Sequence, residues 1–194
     1  SGSFFNSLNF TGFAGTLNDS NRSIYGDLTL SSGMTFTPWA GVNVTVFAAT
    51  SGVKTLTTLG KTLDFPIYFN GSGGTWNLNG ALTQTNTTYL YNGTLNLAGY
   101  NYTCGSFTTV AGTKNITFNG GTLTCTGTGG FQNVSSTGFT TTAGTGTGTI
   151  SMTSASSKLF YGGGSTYNCT LNQGGAGALT ISGANTFNNI TNSV

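Results

Sequence analysis

The chain has 194 residues, including 32 Gly, 14 Phe and 8 Tyr, and only 4% of its residues are charged. Its formal net charge is +2, and it contains no histidine. This small charge gives no electrostatic reason to expect nucleic acid or an anionic membrane as a partner. The many aromatic and β-branched residues are not typical of a disordered chain. We expect a single folded domain over residues 1–194, either a trimmed product or a segment of a longer protein.

Short segments that alternate apolar and polar residues are spread evenly along the chain. A period of two residues is typical of a strand with one buried face, and no stretch shows apolar residues at helical spacing over three turns. The predicted inward residues are, in chain order, Leu28 and Leu30; Val42, Val44 and Val46; Leu63, Phe65, Ile67 and Phe69; Ile116 and Phe118; Ile150 and Met152; Leu179 and Ile181.

A repeated motif accompanies these strands. An aromatic residue and Asn-Gly lead to Gly-Thr and an apolar-polar-apolar run at 69–78, 91–97 and 118–125. Asn-Gly supplies the left-handed backbone of a tight corner. Units of 20–30 residues that cannot bury their own apolar face are typical of stacked repeats, so we predict an all-β fold, a parallel β-helix or β-solenoid of roughly seven coils.

The same motif predicts the core ladders. The residues expected to stack inward in adjacent coils are Trp76, Leu78, Leu95, Leu97, Leu123 and Cys125. Cys104 and Cys125 are about one coil apart, which leaves two alternatives open: a disulfide between stacked coils, or buried free thiols. The odd number of cysteines argues against a disulfide framework.

Several segments resemble the repetitive parts of tail-fibre-like proteins from environmental, especially aquatic, tailed phages. The segments are 60–78, 92–107, 161–172 and 179–190. Related sequences also occur in bacterial surface proteins. The resemblance implies a non-enzymatic fibre or adhesin on a parallel β-helix, located on a virion or an extracellular cell surface. It transfers no catalytic residue.

The residues themselves also argue against an enzyme. Glycoside cleavage, the usual chemistry of enzymatic β-helices, normally needs two carboxylates close together. Only Asp19, Asp27 and Asp64 are available, and each is interpreted as a turn or outward strand residue. The absence of histidine excludes Ser-His and Cys-His nucleophiles. We therefore predict no catalytic residue, no cofactor and no metal site.

Outward tyrosines are the candidate ligand contacts. Aromatic rings beside amides suit sugars, so cell-surface glycans are candidate partners. The residues with this predicted role are Tyr25, Tyr68, Tyr89, Tyr100 and Tyr102.

Two other functions remain open on the sequence. An ice-binding solenoid needs the same Thr-x-Thr on successive coils, but in the triplets 75–77, 94–96 and 122–124 only the first Thr repeats. A bacterial surface solenoid with a structural or adhesive role is the other alternative.

The two ends of the chain predict self-association. A similar motif, Phe-Asn-polar-apolar, lies near each end of the chain, at 5–8 and 187–190. Neither end has the charged or Pro-rich residues that usually protect an open strand edge. We expect a trimer, end-to-end stacking, a fibre or further coils of a longer chain. No apolar run is long enough for a membrane-spanning helix, so no membrane insertion is expected.

Overall fold

In the computed structural model, which describes residues 2–18, 20–38, 40–41 and 43–194, the chain winds into a parallel β-solenoid. The regular structure of these residues is all strand, without a helix. Most coils contribute three strand segments, one to each of three faces, and about nine coils stack. The predicted fold class is confirmed, with about nine coils instead of seven. Predicted residues Asp19 and Val42 lie outside the described residues.

The first face runs the whole length of the solenoid. Its strands pair in parallel from coil to coil. They are β1 (Ser3–Phe5), β4 (Arg22–Ile24), β7 (Thr45–Phe47), the start of β10 (Ile67–Leu78), the start of β12 (Thr87–Asn96), β14 (Ser106–Thr109), β17 (Phe131–Asn133), β20 (Lys158–Tyr161) and β22 (Leu179–Ser182).

The second and third faces complete each coil. The second face contains β2 (Leu8–Asn9), β5 (Leu28–Thr29), β8 (Val53–Thr57), the ends of β10 and β12, β15 (Lys114–Thr117) and β18 (Phe139–Thr142). The third face contains the pair β3 (Thr16–Leu17) and β6 (Thr35–Phe36), and then β9 (Thr62–Leu63), β11 (Leu82–Gln84), β13 (Tyr102–Cys104), β16 (Thr122–Cys125), β19 (Gly148–Met152), β21 (Thr166–Gln173) and β23 (Thr186–Asn192).

The coil number differs from the prediction because the glycine motif does not always mark the same corner. Thr94 pairs with Thr75 on the second face, whereas Thr122 pairs with Thr149 on the third. Register partners in neighbouring coils are as few as 19 residues apart, as for Thr88 and Phe107, and as many as 29 apart, as for Phe131 and Phe160. The motif spacing therefore overestimates the average coil length, and more coils fit into the chain.

Stacked aromatic rings form much of the core. Phe131 lies between Phe107 and Phe160, with ring centroids 5.6 and 5.0 Å away and nearly parallel planes. Closer to the N-terminus, Phe47 stacks on Phe69 at 5.2 Å, and Trp76 packs against both rings. These rings are almost completely buried. They remove a large apolar area from water and so contribute strongly to the hydrophobic stabilisation of the core.

The six predicted core residues are all buried, but they belong to two different faces. Trp76 pairs with Leu95 on the second face, Leu78 is the last residue of β10, and Leu97 directly follows the end of β12. Leu123 lies on the third face between Tyr102 and Ile150. The inward orientation was predicted correctly, and the shared ladder was not, because the third copy of the motif begins at another corner.

The register of β7 is opposite to the prediction. Thr45 and Phe47 point inward, and Val46 lies outward and half-buried. Stacking of Phe47 on Phe69 accounts for this choice, since shifting a strand by one residue would turn the phenyl ring to the solvent. The predicted continuous run from Leu63 to Phe69 is likewise divided by a corner between β9 and β10, although its four apolar residues are buried.

Cys104 and Cys125 are register partners on β13 and β16, and together with Cys169 they are buried free thiols. Burial raises the pKa of Cys104 well above its usual value, with the neighbouring Cys125 adding to the effect. Burial also raises the pKa of Cys169 to about 12. These thiols therefore act as small core residues in the neutral form.

Two lysines are used inside the solenoid. The Nζ of Lys158 donates to the carbonyls of Ser154 and Gly175, at 3.0 and 2.8 Å, and also to that of Gly177. The Nζ of Lys114 donates to the carbonyls of Gly112 and Thr137, both at 2.9 Å, and burial lowers its pKa. Each ammonium group satisfies corner carbonyls of two neighbouring coils, which would otherwise be costly to bury.

Corner geometry explains one of the Asn-Gly pairs. Gly93 has a φ of +88°, in the region that favours glycine, and a Cβ there would lie 2.5 Å from the Gly71 carbonyl oxygen of the preceding coil. Only glycine allows the two corners to stack this closely. The Asn-Gly signal in the sequence was therefore interpreted correctly as a corner.

The similar motifs at residues 5–8 and 187–190 are not equivalent in the fold. Phe5 pairs with Ile24 on the first face, whereas Phe187 pairs with Tyr167 on the strands that lead into the third face. The motif predicts two inward residues, one on each side of a corner, but it does not determine which corner of the coil this is. The sequence similarity therefore does not imply an assembly in which the two motifs pair with each other.

Candidate functional site

The two described carboxylates lie at different corners. Asp27 precedes β5, and its Oδ1 accepts a 2.7 Å hydrogen bond from the backbone N–H of Thr55 in the next coil. Asp64 follows β9, and its backbone carbonyl accepts a hydrogen bond from the Asn86 amide. The described part of the chain brings together no group of three or more His, Cys, Asp or Glu that could hold a metal ion. It also contains no helix of the length and apolarity needed to span a membrane.

Four of the five predicted tyrosine contacts lie at the surface. Tyr25 and Tyr100 are each 41% exposed, and Tyr68 and Tyr89 are half-buried on the outside of the first face. Tyr102 is fully buried on the third face, so its predicted role in contacting a ligand is wrong. Tyr102 alternates with Asn101 and Thr103, and this pattern shows two faces of a strand without showing which one is inside.

Tyr102 has a structural role in the core. Its hydroxyl donates to Oε1 of Gln84 at 2.9 Å and also contacts the hydroxyl of Thr88. Gln84 in turn donates from Nε2 to the carbonyl of Phe65 at 2.8 Å. Burial raises the pKa of Tyr102 well above its usual value, so the phenol stays protonated. This network pairs the polar atoms of three buried side chains across three coils.

Three tyrosines meet on the outside of the first face and are called here the tyrosine cluster: Tyr68, Tyr89 and Tyr91. The ring centroids of Tyr68 and Tyr89 are 4.8 Å apart, those of Tyr68 and Tyr91 are 5.6 Å apart, and those of Tyr89 and Tyr91 are 6.3 Å apart. The rings are tilted or edge-on to each other, as aromatic pairs prefer. Partial burial and the neighbouring phenols, Tyr91 before Tyr89, raise the pKa of Tyr68.

Tyr91 is the member of this cluster that sequence reasoning missed. It is separated from Tyr89 by one residue, so the period-two rule places both on one side of β12. That signal was available. The contact of Tyr91 with Tyr68 was not available, since it depends on the parallel register of β10 and β12.

The corner next to the tyrosine cluster is polar. Nδ2 of Asn92 donates to Oδ1 of Asn70 at 2.9 Å, and Oδ1 of Asn92 accepts from the backbone N–H of Thr113 at 3.2 Å. Beyond this amide pair, a cleft of about 180 Å³ opens on the second face. It is lined by Ser72, Gly73, Gly74, Thr75, Gly93, Thr94, Thr113, Lys114, Asn115 and Thr140.

The third face carries a column of small polar side chains, called here the hydroxyl column: Thr62, Thr83, Thr103, Thr124, Ser151, Asn172 and Thr191. Each is the register partner of the next in adjacent coils. A second outward column runs beside part of it: Thr122, Thr149, Thr170 and Asn189. Hydroxyl and amide groups thus repeat at the strand spacing of about 4.8 Å along this face.

The second face has a mixed pattern. Thr75, Thr94, Asn115 and Thr140 form one outward column, and Asn77, Asn96, Thr117 and Thr142 form another. The triplet 122–124 lies on the third face and is not the counterpart of 75–77 and 94–96. The comparison of these triplets, which argued against a ranked Thr face, joined residues of different faces and was wrong.

No family model, no curated protein and no solved structure matches this chain. The solenoid and its three chemically distinct faces are therefore the basis for any statement of function. The first face carries aromatic rings, the second mixes Thr with Asn, and the third carries the hydroxyl column.

Proposed function

We propose that this chain is a structural fibre or adhesin, either tail-fibre-like on a phage virion or on a bacterial surface, which presents Thr, Asn and Tyr side chains to a host glycan. The β-solenoid fits a structural repeat protein. The proposal includes no catalytic activity, because the sequence has three carboxylates and no histidine, and Asp27 serves the backbone of a neighbouring coil.

Exposed apolar side chains in the last coil support the proposal that the chain assembles. Ile181 and Ile190 are the register partners of Phe160 and Leu171, which are fully buried. The two isoleucines are nevertheless 40% and 55% exposed. The backbone of the same strands offers an open edge, which natural proteins usually cover or protect. A further layer of protein, from a longer chain or from another subunit, would bury both.

We expect the purified 194 residues to associate, because that removes the exposed ladder and the two isoleucines from water. Light scattering and negative-stain microscopy should show trimers or rods longer than one solenoid. The double variant Ile181→Lys and Ile190→Lys should shift the population towards monomer, because assembly would then bury two charges at the contact. A monodisperse wild-type monomer would refute assembly through this end.

Ice binding is a second candidate, favoured by the hydroxyl column. The column repeats at about 4.8 Å between coils, and alternate residues along a strand repeat at roughly 6.6 Å. A flat array of hydroxyl groups with two regular spacings can hold a layer of water in an ordered arrangement. The column contains only the small side chains of Thr, Ser and Asn, and Ser151 is its one buried member.

The two candidates differ in a direct test on ice. If the third face binds ice, the wild type should inhibit ice recrystallisation and lower the freezing point, and the pair Thr103→Leu and Thr124→Leu should lose most of this activity. The matched control is Thr94→Leu with Thr117→Leu, which changes two half-buried threonines of the second face. Failure of the wild type to affect ice growth would exclude this second function.

A further inference from the structure

The corner between the first and second faces combines three features over neighbouring coils. The tyrosine cluster lies on one side, the amide pair Asn70 and Asn92 lies at the corner, and the cleft lies on the other side. They are continuous along the chain, since Tyr91 and Asn92 are followed directly by the cleft residues Gly93 and Thr94.

Charge is absent from the sequence that builds most of this corner. Residues 65–113 contain no Asp, Glu, Lys or Arg. Lys114, in the cleft lining, uses its Nζ on the carbonyls of Gly112 and Thr137. An anionic ligand such as a sulfated or uronic polymer would find no cation in these 49 positions, and on the second face the preceding coil adds one lysine, Lys54, the register partner of Trp76.

The chemistry of the corner matches a neutral sugar chain. Partly exposed tyrosine rings offer faces for the C–H groups of a pyranose ring, and their hydroxyls remain polar at the rim. Amide and threonine groups can both donate and accept hydrogen bonds, as sugar hydroxyls require. The cleft of about 180 Å³ is smaller than the 300–1,000 Å³ or so of a typical small-molecule pocket, so it suits one ring or substituent of a longer chain.

We propose that the tyrosine cluster, the amide pair and the adjoining cleft form a binding site for a neutral polysaccharide. A sugar ring rests on Tyr89 and Tyr91, the chain crosses the corner at Asn92, and the next unit enters the cleft beside Thr94. The site rests on the proposed adhesive function and names its ligand class.

Affinity electrophoresis with three neutral polysaccharides, laminarin, dextran and galactomannan, and with anionic alginate tests this site. At least one neutral polymer should retard the wild type, and alginate should not. Tyr89→Ala and Tyr91→Ala should each raise the dissociation constant obtained from the retardation about tenfold, a loss of about 1.4 kcal/mol of binding free energy. Tyr91→Phe should keep most of it, because the ring is retained. Tyr161→Ala changes an exposed tyrosine of the first face that lies outside the site and should leave binding unchanged.

Three results would overturn the site: no retardation by any of the neutral polymers, preferential retardation by alginate, or an equal loss in Tyr161→Ala and Tyr89→Ala. Thermal unfolding of each variant identifies loss of binding through misfolding, and Tyr91→Phe keeps the test valid if an alanine variant fails to fold. Light scattering measures assembly separately. A protein that assembles but binds no neutral polymer refutes the polysaccharide site and leaves the fibre proposal standing.

Discussion

Replacing Phe131 with Ala is expected to lower the free energy of unfolding by about 3–5 kcal/mol, the range for removing a large aromatic side chain from a core. Phe131 is fully buried and stacks between Phe107 and Phe160. It also packs edge-on against Tyr167. The loss should fall near the upper end of the range, because rings on both sides are held by their own strands and cannot readily close the cavity.

Urea unfolding, followed by circular dichroism, measures this effect. Tyr161→Ala is the matched control, since Tyr161 lies on the neighbouring strand β20, points outward and is 39% exposed. Its replacement should cost less than about 1 kcal/mol, as is usual for a surface change. A cost for Phe131→Ala as small as that of the control would show that this stack does not support the core.

The second large effect is a loss of stability at alkaline pH. Burial raises the pKa of Cys104, Cys169, Tyr102 and Tyr167 in the folded chain. For a group with a raised folded pKa, the stabilisation is complete below the unfolded pKa and is lost as the pH rises towards the folded value. Unfolded cysteine and tyrosine titrate near pH 8.5 and pH 10 respectively, so the loss begins at about pH 8.5.

At about pH 10, each of the two cysteines contributes roughly 2 kcal/mol of lost stability, since one pKa unit corresponds to 1.36 kcal/mol. The total should reach about 4–5 kcal/mol relative to pH 7, with a smaller part from the two tyrosines. Lys114 acts in the opposite sense, because its folded pKa is lowered and the folded form releases its proton first as the pH rises. One lysine offsets part of the loss from four groups.

Urea midpoints at pH 7, 8, 9 and 10 check this expectation. Cys169→Ala should flatten the alkaline slope by about one proton, whereas it lowers stability at every pH through its cavity. Because the chain has no histidine or glutamate, stability should change little between about pH 5 and 8. A free energy of unfolding that stays constant up to pH 10 would contradict the buried, protonated state of these thiols.

Some features of the surface sites were within reach of the sequence. Tyr89 and Tyr91 are two residues apart in a β-pattern, which places them together on one side of a strand. The hydroxyl column was harder to predict. Thr83, Thr103 and Thr124 align only when the lengths of the intervening coils are known, and those lengths vary. The mistaken comparison of the triplet 122–124 with 75–77 followed from assuming that every copy of the glycine motif occupies the same corner.

The sequence by itself determined that the chain is an all-β solenoid, because period-two alternation and Asn-Gly corners are local properties of a few neighbouring residues. It also determined that Trp76, Leu97 and Cys125 point inward. Only the tertiary structure decided which corner each motif occupies. Strands of two or three residues carry too little pattern to set their own register, so packing of partners such as Phe47 on Phe69 sets it. Because the alignment of outward side chains depends on that register, the tyrosine cluster and the hydroxyl column appear only once the coils are stacked.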